Sequence, residues 1–181
     1  MGIKSLYKER FKAIAHKVFS QGLDPLVPMS PTSVEWINQV PAHWNQKRFR
    51  FIGLPRIWKK DGTWNNARGY TEPVPVDNEK WDILVTKKGF DFKSSYGQEN
   101  ADSLILINLL PSQNTAFWLF YLNSHFAQHW LRREVSMTNS LTVEALKNLP
   151  VFEPPIGEQE AIASYLSHFD QQTSKIIGIL S

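Results

Sequence analysis

Residues Leu149 to Leu166, reading LPVFEPPIGEQEAIASYL, leave the chain little choice of local structure. Val151 and Phe152 suit a strand, while Pro154 and Pro155 lack the N–H groups that a β-ladder needs. Glu158 and Glu160 then place carboxylates where the positive end of a helix favours them. The stretch predicts a short strand, a rigid break and a helix beginning near Ile156. Beyond it, Ile162, Leu166, Phe169, Thr173, Ile176 and Leu180 recur at alternating steps of four and three. This narrow seam suits a partner helix better than a wide globular core. Ile162, Leu166, Phe169 and Ile176, with Gln159 off the seam at its start, are the candidate partner-binding residues.

A second helical stripe, Ile3, Leu6, Tyr7, Phe11, Ile14 and Val18, opens the chain, with Gly22 placed to end it and Pro25 just beyond. Residues 1–30 carry five basic and two acidic side chains, whereas residues 150–181 carry one basic and four acidic. Opposite charge on the two end helices predicts an antiparallel pair. The alternative is that each stripe packs separately on its own domain.

The centre reads as mixed α/β. Trp81 to Thr86 and Ser103 to Leu109 are aliphatic runs bounded by Asp, Gly and Asn, as buried strands are. Phe117 to Arg133 is long enough for one central buried helix, with Arg132 and Arg133 complementing the negative end of its dipole. Thr142 to Asn148 predicts one or two further helical turns. The expected organisation is an N-terminal helix over 1–22, a Pro- and Ser-rich surface linker over 23–43, a globular domain with a short mixed sheet over 44–153, and a C-terminal helix over 154–181.

A 181-residue chain with 42% hydrophobic residues fills a real core. It has no cysteine, so disulfides and thiolate metal sites are excluded. The opening residues, interrupted by Lys4, Lys8, Arg10 and Lys12, do not read as a secretory leader, and no apolar run is long enough to span a bilayer. The expected setting is cytoplasmic.

Ten basic residues fall between Arg48 and Lys93, interleaved with Phe49, Phe51, Trp58, Trp64, Tyr70, Phe90 and Phe92. Arg and Lys neutralise phosphates by releasing counterions, and Arg, Asn and Gln carry the donor and acceptor geometry that reads base edges. The loop-like stretch Arg56 to Arg68 supplies the first DNA-binding candidates: Arg56, Lys59, Lys60, Trp64, Asn65 and Arg68. Lys87, Lys88 and Lys93 come second, and Asn139, in the polar loop 136–140, third. The competing reading is that the lysines solvate a face and the tryptophans are core.

His125 and His129 lie four apart, a spacing that puts two imidazoles on one helix face, yet no third metal ligand accompanies them and they read as interfacial or surface histidines. Asp82, Asp91 and Lys93 loosely fit the Asp and Asp-x-Lys pattern of Mg²⁺-dependent nucleases. No glycine-rich phosphate cradle or cofactor motif follows any predicted strand, so no cofactor is expected.

The Leu-Pro strand, the Pro154-Pro155 break and the run Glu158-Gln159, Ala161-Ile162-Ala163, Tyr165-Leu166 resemble a junction in the specificity subunits of type I restriction-modification enzymes, where a target recognition domain meets a conserved helix. Gly22-Leu23-Asp24-Pro25, Val27-Pro28-Met29, Val34-Glu35-Trp36-Ile37 and Val40-Pro41-Ala42-His43-Trp44 resemble the way such subunits leave one conserved helix and enter the next recognition domain. The resemblance implies a non-catalytic subunit whose single recognition domain reads one half of a split site in double-stranded DNA. It also implies helices that dock methyltransferase subunits and, through them, the restriction subunit. Such subunits usually carry two recognition domains. One domain here implies a fragment, or a half-subunit working as a homodimer on an interrupted palindrome. Three readings stand: a DNA-specificity module, a metal-dependent nuclease and a protein-binding scaffold.

Overall fold

The computed structural model describes residues 2–58, 63–65, 71–73, 82–86, 94–95, 104–135 and 140–179. The chain opens with α1 (Ile3–Gln21), then β1 (Met29–Pro31), β2 (Gln39–Pro41) and β3 (Asn45–Arg48), and a 3-10 turn at Phe49–Phe51. Strands β4 (Gly53–Trp58), β5 (Thr63–Asn65), β6 (Thr71–Pro73), β7 (Ile83–Thr86), β8 (Ser94–Ser95) and β9 (Leu104–Leu109) follow. Helices α2 (Thr115–Asn123), α3 (His125–Glu134) and α4 (Val143–Asn148), strand β10 (Pro150–Glu153) and helix α5 (Ile156–Ile179) complete the chain. This is a mixed α/β fold, and every strand pairing described is antiparallel.

The largest sheet runs β6-β5-β4-β9-β7-β8. Its centre is the β4–β9 ladder, from Gly53 opposite Leu109 to Ile57 opposite Ile105. Ile83, Val85, Ile105 and Ile107 are buried in one continuous core with the helices. At the core's centre Phe19 of α1 meets Phe117 and Tyr121 of α2 edge-on, at centroid distances of 5.5 and 5.3 Å. Burial pushes the Tyr121 hydroxyl well above its ordinary pKa.

The two end helices do pair antiparallel. Phe11 lies 6.1 Å from Phe169, and Arg10 sits 5.6 Å over the same ring. Gly22, at the C-terminal end of α1, lies against Glu158 in the first turn of α5. The Pro154-Pro155 break and the start of α5 at Ile156 also match the sequence reading. Gly22 adopts φ 70°, ψ −165°, a conformation that favours glycine, and its N–H closes the last turn on the Val18 carbonyl at 2.9 Å.

Three expectations change. The single helix over Phe117 to Arg133 is two helices broken at Ser124, whose extended backbone (φ −70°, ψ 159°) ends α2 and caps α3. Its hydroxyl accepts the Ala127 N–H at 3.5 Å, and the Gln128 amide donates to the Leu122 carbonyl at 2.8 Å. Polar side chains thus take over groups that an unbroken helix would pair internally. The linker expected to lie on the surface contains the β1–β2 ribbon and buries Val34, Ile37 and Val40. Strand β2 packs on α1, and Trp36 lies 5.8 Å from Trp130 of α3. The stretch from Arg56, expected to be a loop, includes the end of β4 and β5, with Trp58 opposite Trp64 and Ile57 opposite Asn65. Aromatic and β-branched residues favour that pleated pairing.

Candidate functional site

The first group of DNA-binding candidates falls at one end of the large sheet. Arg56 lies half-buried on β4 opposite Leu106 of β9. Trp64 and Asn65 lie on β5, whose other neighbour, β6, places Glu72 opposite Trp64 and Thr71 opposite Asn65. The backbone therefore brings Arg56, Trp64 and Asn65 onto adjacent strands. Lys59, Lys60, Arg68, Lys87, Lys88, Lys93 and Asn139 lie outside the described residues.

Asp82 has a structural duty at the start of β7. Its N–H donates to the Ile107 carbonyl at 3.1 Å and its Oδ2 accepts the Leu109 N–H at 2.8 Å. One carboxylate thereby closes the β7–β9 ladder beyond its last strand pair. Asp91 and Lys93, its partners in the nuclease pattern, lie outside the described residues. Among the described residues no group of three His, Asp or Glu side chains is arranged to hold a metal.

The junction residues are knit by a polar network that the sequence reading missed. Gln159 is 1% exposed; its Oε1 accepts the Asn114 N–H at 3.0 Å, and its Nε2 donates to the Pro154 carbonyl at 2.9 Å and to Gln113 Oε1 at 3.2 Å. Gln113 Oε1 also accepts the Trp118 indole N–H at 2.8 Å, and its amide donates to Glu153 at 2.7 Å. Lys47 closes the chain on Glu153 at 2.5 Å. The network ties β3, β10, α2 and α5 together. Its one legible signal is Asn114, an N-cap residue ahead of a hydrophobic run, whose Oδ1 accepts the Phe117 N–H.

Gln159, Ile162 and Leu166 were expected to face a partner; they are instead buried within this chain, where α1 and α2 supply the apolar surface that the seam requires. Phe169 is half-buried against Phe11, and nothing is described of the Ile176 side chain. Leu6, Ile156 and Tyr165 on α1 and α5 are exposed.

A concave feature also went unread in the sequence. A cleft of about 750 Å³ opens between the stretch after β1, β3 and α3, lined by Trp36, Lys47, Arg48, Phe51, Trp130 and Arg133 among others. Arg133 pairs with Glu35 at 3.4 Å and lies 5.9 Å over the Trp36 ring, while Arg48 donates to Asn148 at 3.3 Å. The alternation Lys47, Arg48, Phe49, Arg50, Phe51 was its visible trace.

The fold is thus an antiparallel sheet packed on α2 and α4, with an antiparallel pair of end helices packed on α2. The model of the type I restriction modification DNA specificity domain matches residues 73–179, more than half of the chain, and the chain belongs to that family. The fold is similar over 98% of the chain to the HsdS subunit from Thermoanaerobacter tengcongensis (TM-score 0.61, 14% identity) and to the type I restriction-modification S subunit from M. genitalium (TM-score 0.60, 12% identity). It is similar over 96% to a chain in a structure describing complex assembly and conformational transition of the type I R-M system (TM-score 0.53, 16% identity). The chain spans 46%, 50% and 48% of those three chains, respectively. No curated protein matches it. No helix among the described residues is long and apolar enough to cross a membrane.

Proposed function

We propose that this chain is a DNA-reading module of a type I restriction-modification complex, recognising one half of a split site without catalysing a reaction itself. The observation that carries this reading is the specificity-domain match over residues 73–179. The β4–β5 end of the sheet, with Arg56, Trp64 and Asn65 on adjacent strands, is the proposed recognition edge. Lys59, Lys60, Arg68, Lys87, Lys88, Lys93 and Asn139 are proposed to extend it on charge and amide chemistry. The exposed side of α5 around Ile156 and Tyr165, with Leu6 of α1, is the proposed docking surface for methyltransferase subunits, which in turn recruit the restriction subunit.

A homodimeric half-subunit and a module within a larger subunit are the two forms proposed for it. A two-fold pair would read an interrupted palindrome, since protein symmetry is mirrored in the site. The nuclease alternative is less well supported, because one Asp82 carboxylate oxygen already serves the β7–β9 ladder.

Selection from random duplex DNA, by the chain mixed with methyltransferase subunits and by the chain alone, tests the proposal. An enriched interrupted palindrome supports the dimeric module, and a single-sided motif supports a module working within a larger subunit. Stable complex formation without any enrichment overturns the DNA-reading proposal in favour of a scaffold.

A further inference from the structure

Helices α1 and α3 share an exposed face on which imidazole and cationic side chains converge. His125 and His129 are 6.0 Å apart, centroid to centroid, and His16 of α1 stacks 4.6 Å from Phe126 of α3. Lys12 lies one turn before His16 on α1, and Arg132 lies two turns beyond His125 on the same side of α3. All five of these side chains are exposed. Lys12 is bonded to Glu9 at 2.8 Å in a pair exposed to solvent, a contact weak enough to exchange for another anion. The face does not stop at α3. His129 lies 5.3 Å from Trp36, and the Trp36 ring, beneath Arg133, leads into the cleft walled by Arg48.

We propose that this face is a contact surface for the phosphate backbone of duplex DNA, seated on Lys12, His16, His125, His129 and Arg132 and bordered by Trp36 and Arg133. The inference rests on the DNA-reading function proposed above and adds to it a sequence-independent surface outside the recognition edge. Charge complementarity selects the occupant. Lys12 and Arg132 are cations, and His16, His125 and His129 become cations on protonation. From His125 to Arg132 the helix rises about 10 Å, which matches roughly three phosphate steps of one strand along the duplex axis.

The histidines give the contact a signature that plain lysines lack. Burial first, and then His129, His16, Arg132 and Lys12, hold His125 below the ordinary imidazole pKa, so it is mostly neutral near pH 7. A phosphate brought against it reverses the local field and favours the charged form. Binding then takes up protons, and affinity rises as pH falls.

The test is fluorescence anisotropy of the full chain on random-sequence duplex DNA, across pH 5.5 to 8 and a range of salt. It compares the natural sequence, the double variant His125→Gln/His129→Gln and Lys12→Ala, with thermal melts to establish that each is folded. Affinity of the natural sequence is expected to rise about tenfold as pH falls, and the double variant to flatten that profile. Lys12→Ala is expected to lower the salt slope by roughly one. Sequence-selective binding with the same pH profile in the natural chain and the double variant overturns this surface and leaves the recognition reading standing. No retention of duplex DNA at any pH overturns both. Polyglutamate competing as well as duplex DNA for the same residues overturns the DNA assignment in favour of an acidic protein.

Discussion

Gln159 in the first turn of α5 accepts the backbone N–H of Asn114, the residue that caps α2, across 45 positions of sequence. One amide side chain therefore fixes the entry of the C-terminal helix against the entry of the central one. Because the same amide donates to Pro154 and Gln113, the angle between β10 and α5 is set by hydrogen bonds shielded from bulk water in whole or in part.

Replacing Gln159 by leucine keeps the volume and removes every one of these bonds. The Asn114 N–H and the Pro154 carbonyl are left unpaired, at a cost of about 1–3 kcal/mol for each buried group. Urea denaturation is expected to show a lowered midpoint. An unchanged midpoint would mean that the network does not hold the junction.

Gly22→Ala puts a Cβ 2.9 Å from Glu158 Oε1 at a backbone conformation that other residues rarely adopt. The Glu158 side chain, which meets His43 at 2.7 Å, can swing away, so the backbone term dominates. The expected loss is about 1–3 kcal/mol, read as a drop in melting temperature. His43→Ala, which removes only the exposed ion pair, is expected to change the melting temperature far less.

Leu166→Ala and Tyr165→Ala separate the two faces of α5. Leu166 is fully buried in this chain and Tyr165 is 46% exposed. The first is expected to destabilise the isolated chain by about 2–5 kcal/mol, the second by no more than about 0.5 kcal/mol. If Tyr165 lies on a docking surface, its replacement weakens pull-down of methyltransferase subunits without altering the melt. Equal effects of the two variants on stability would contradict the placement of the seam.

His125 also links stability to pH. Its pKa lies below 6.5 in the folded chain, so the unfolded chain binds its proton first as pH falls. Stability is therefore lost as pH drops from 6.5 to the folded value, and no further loss from this group follows below it. His125→Gln is expected to reduce the fall in melting temperature over that window. A steeper fall in the variant would reverse the sign of the argument.

Much of the frame was legible because single residues impose it. Pro154 and Pro155 stop the β10 ladder, Gly22 ends α1, and the aliphatic runs around Val85 and Ile107 become strands that bury Ile83, Val85, Ile105 and Ile107 in the core. The break at Ser124 was harder to see, because apolar residues surround most of α2 and mask its end. The proposed recognition residues were legible only as chemistry. Charge and aromatic content mark Arg56 to Arg68 as a candidate, and local sequence cannot say which of these residues lie on neighbouring strands.

By itself, the sequence determined where elements start and stop, that the end helices carry opposite charge, and which family pattern the junction follows. These are local properties, set by missing N–H groups, by backbone freedom and by the period of apolar residues. Only the tertiary structure decided that Ile162 and Leu166 of the α5 seam are covered by α1 and α2, that the supposed linker helps close the core, and that Gln159 is a buried joint. A stripe of leucine and isoleucine states that a face will be buried; what buries it depends on which surfaces the rest of the chain brings within reach.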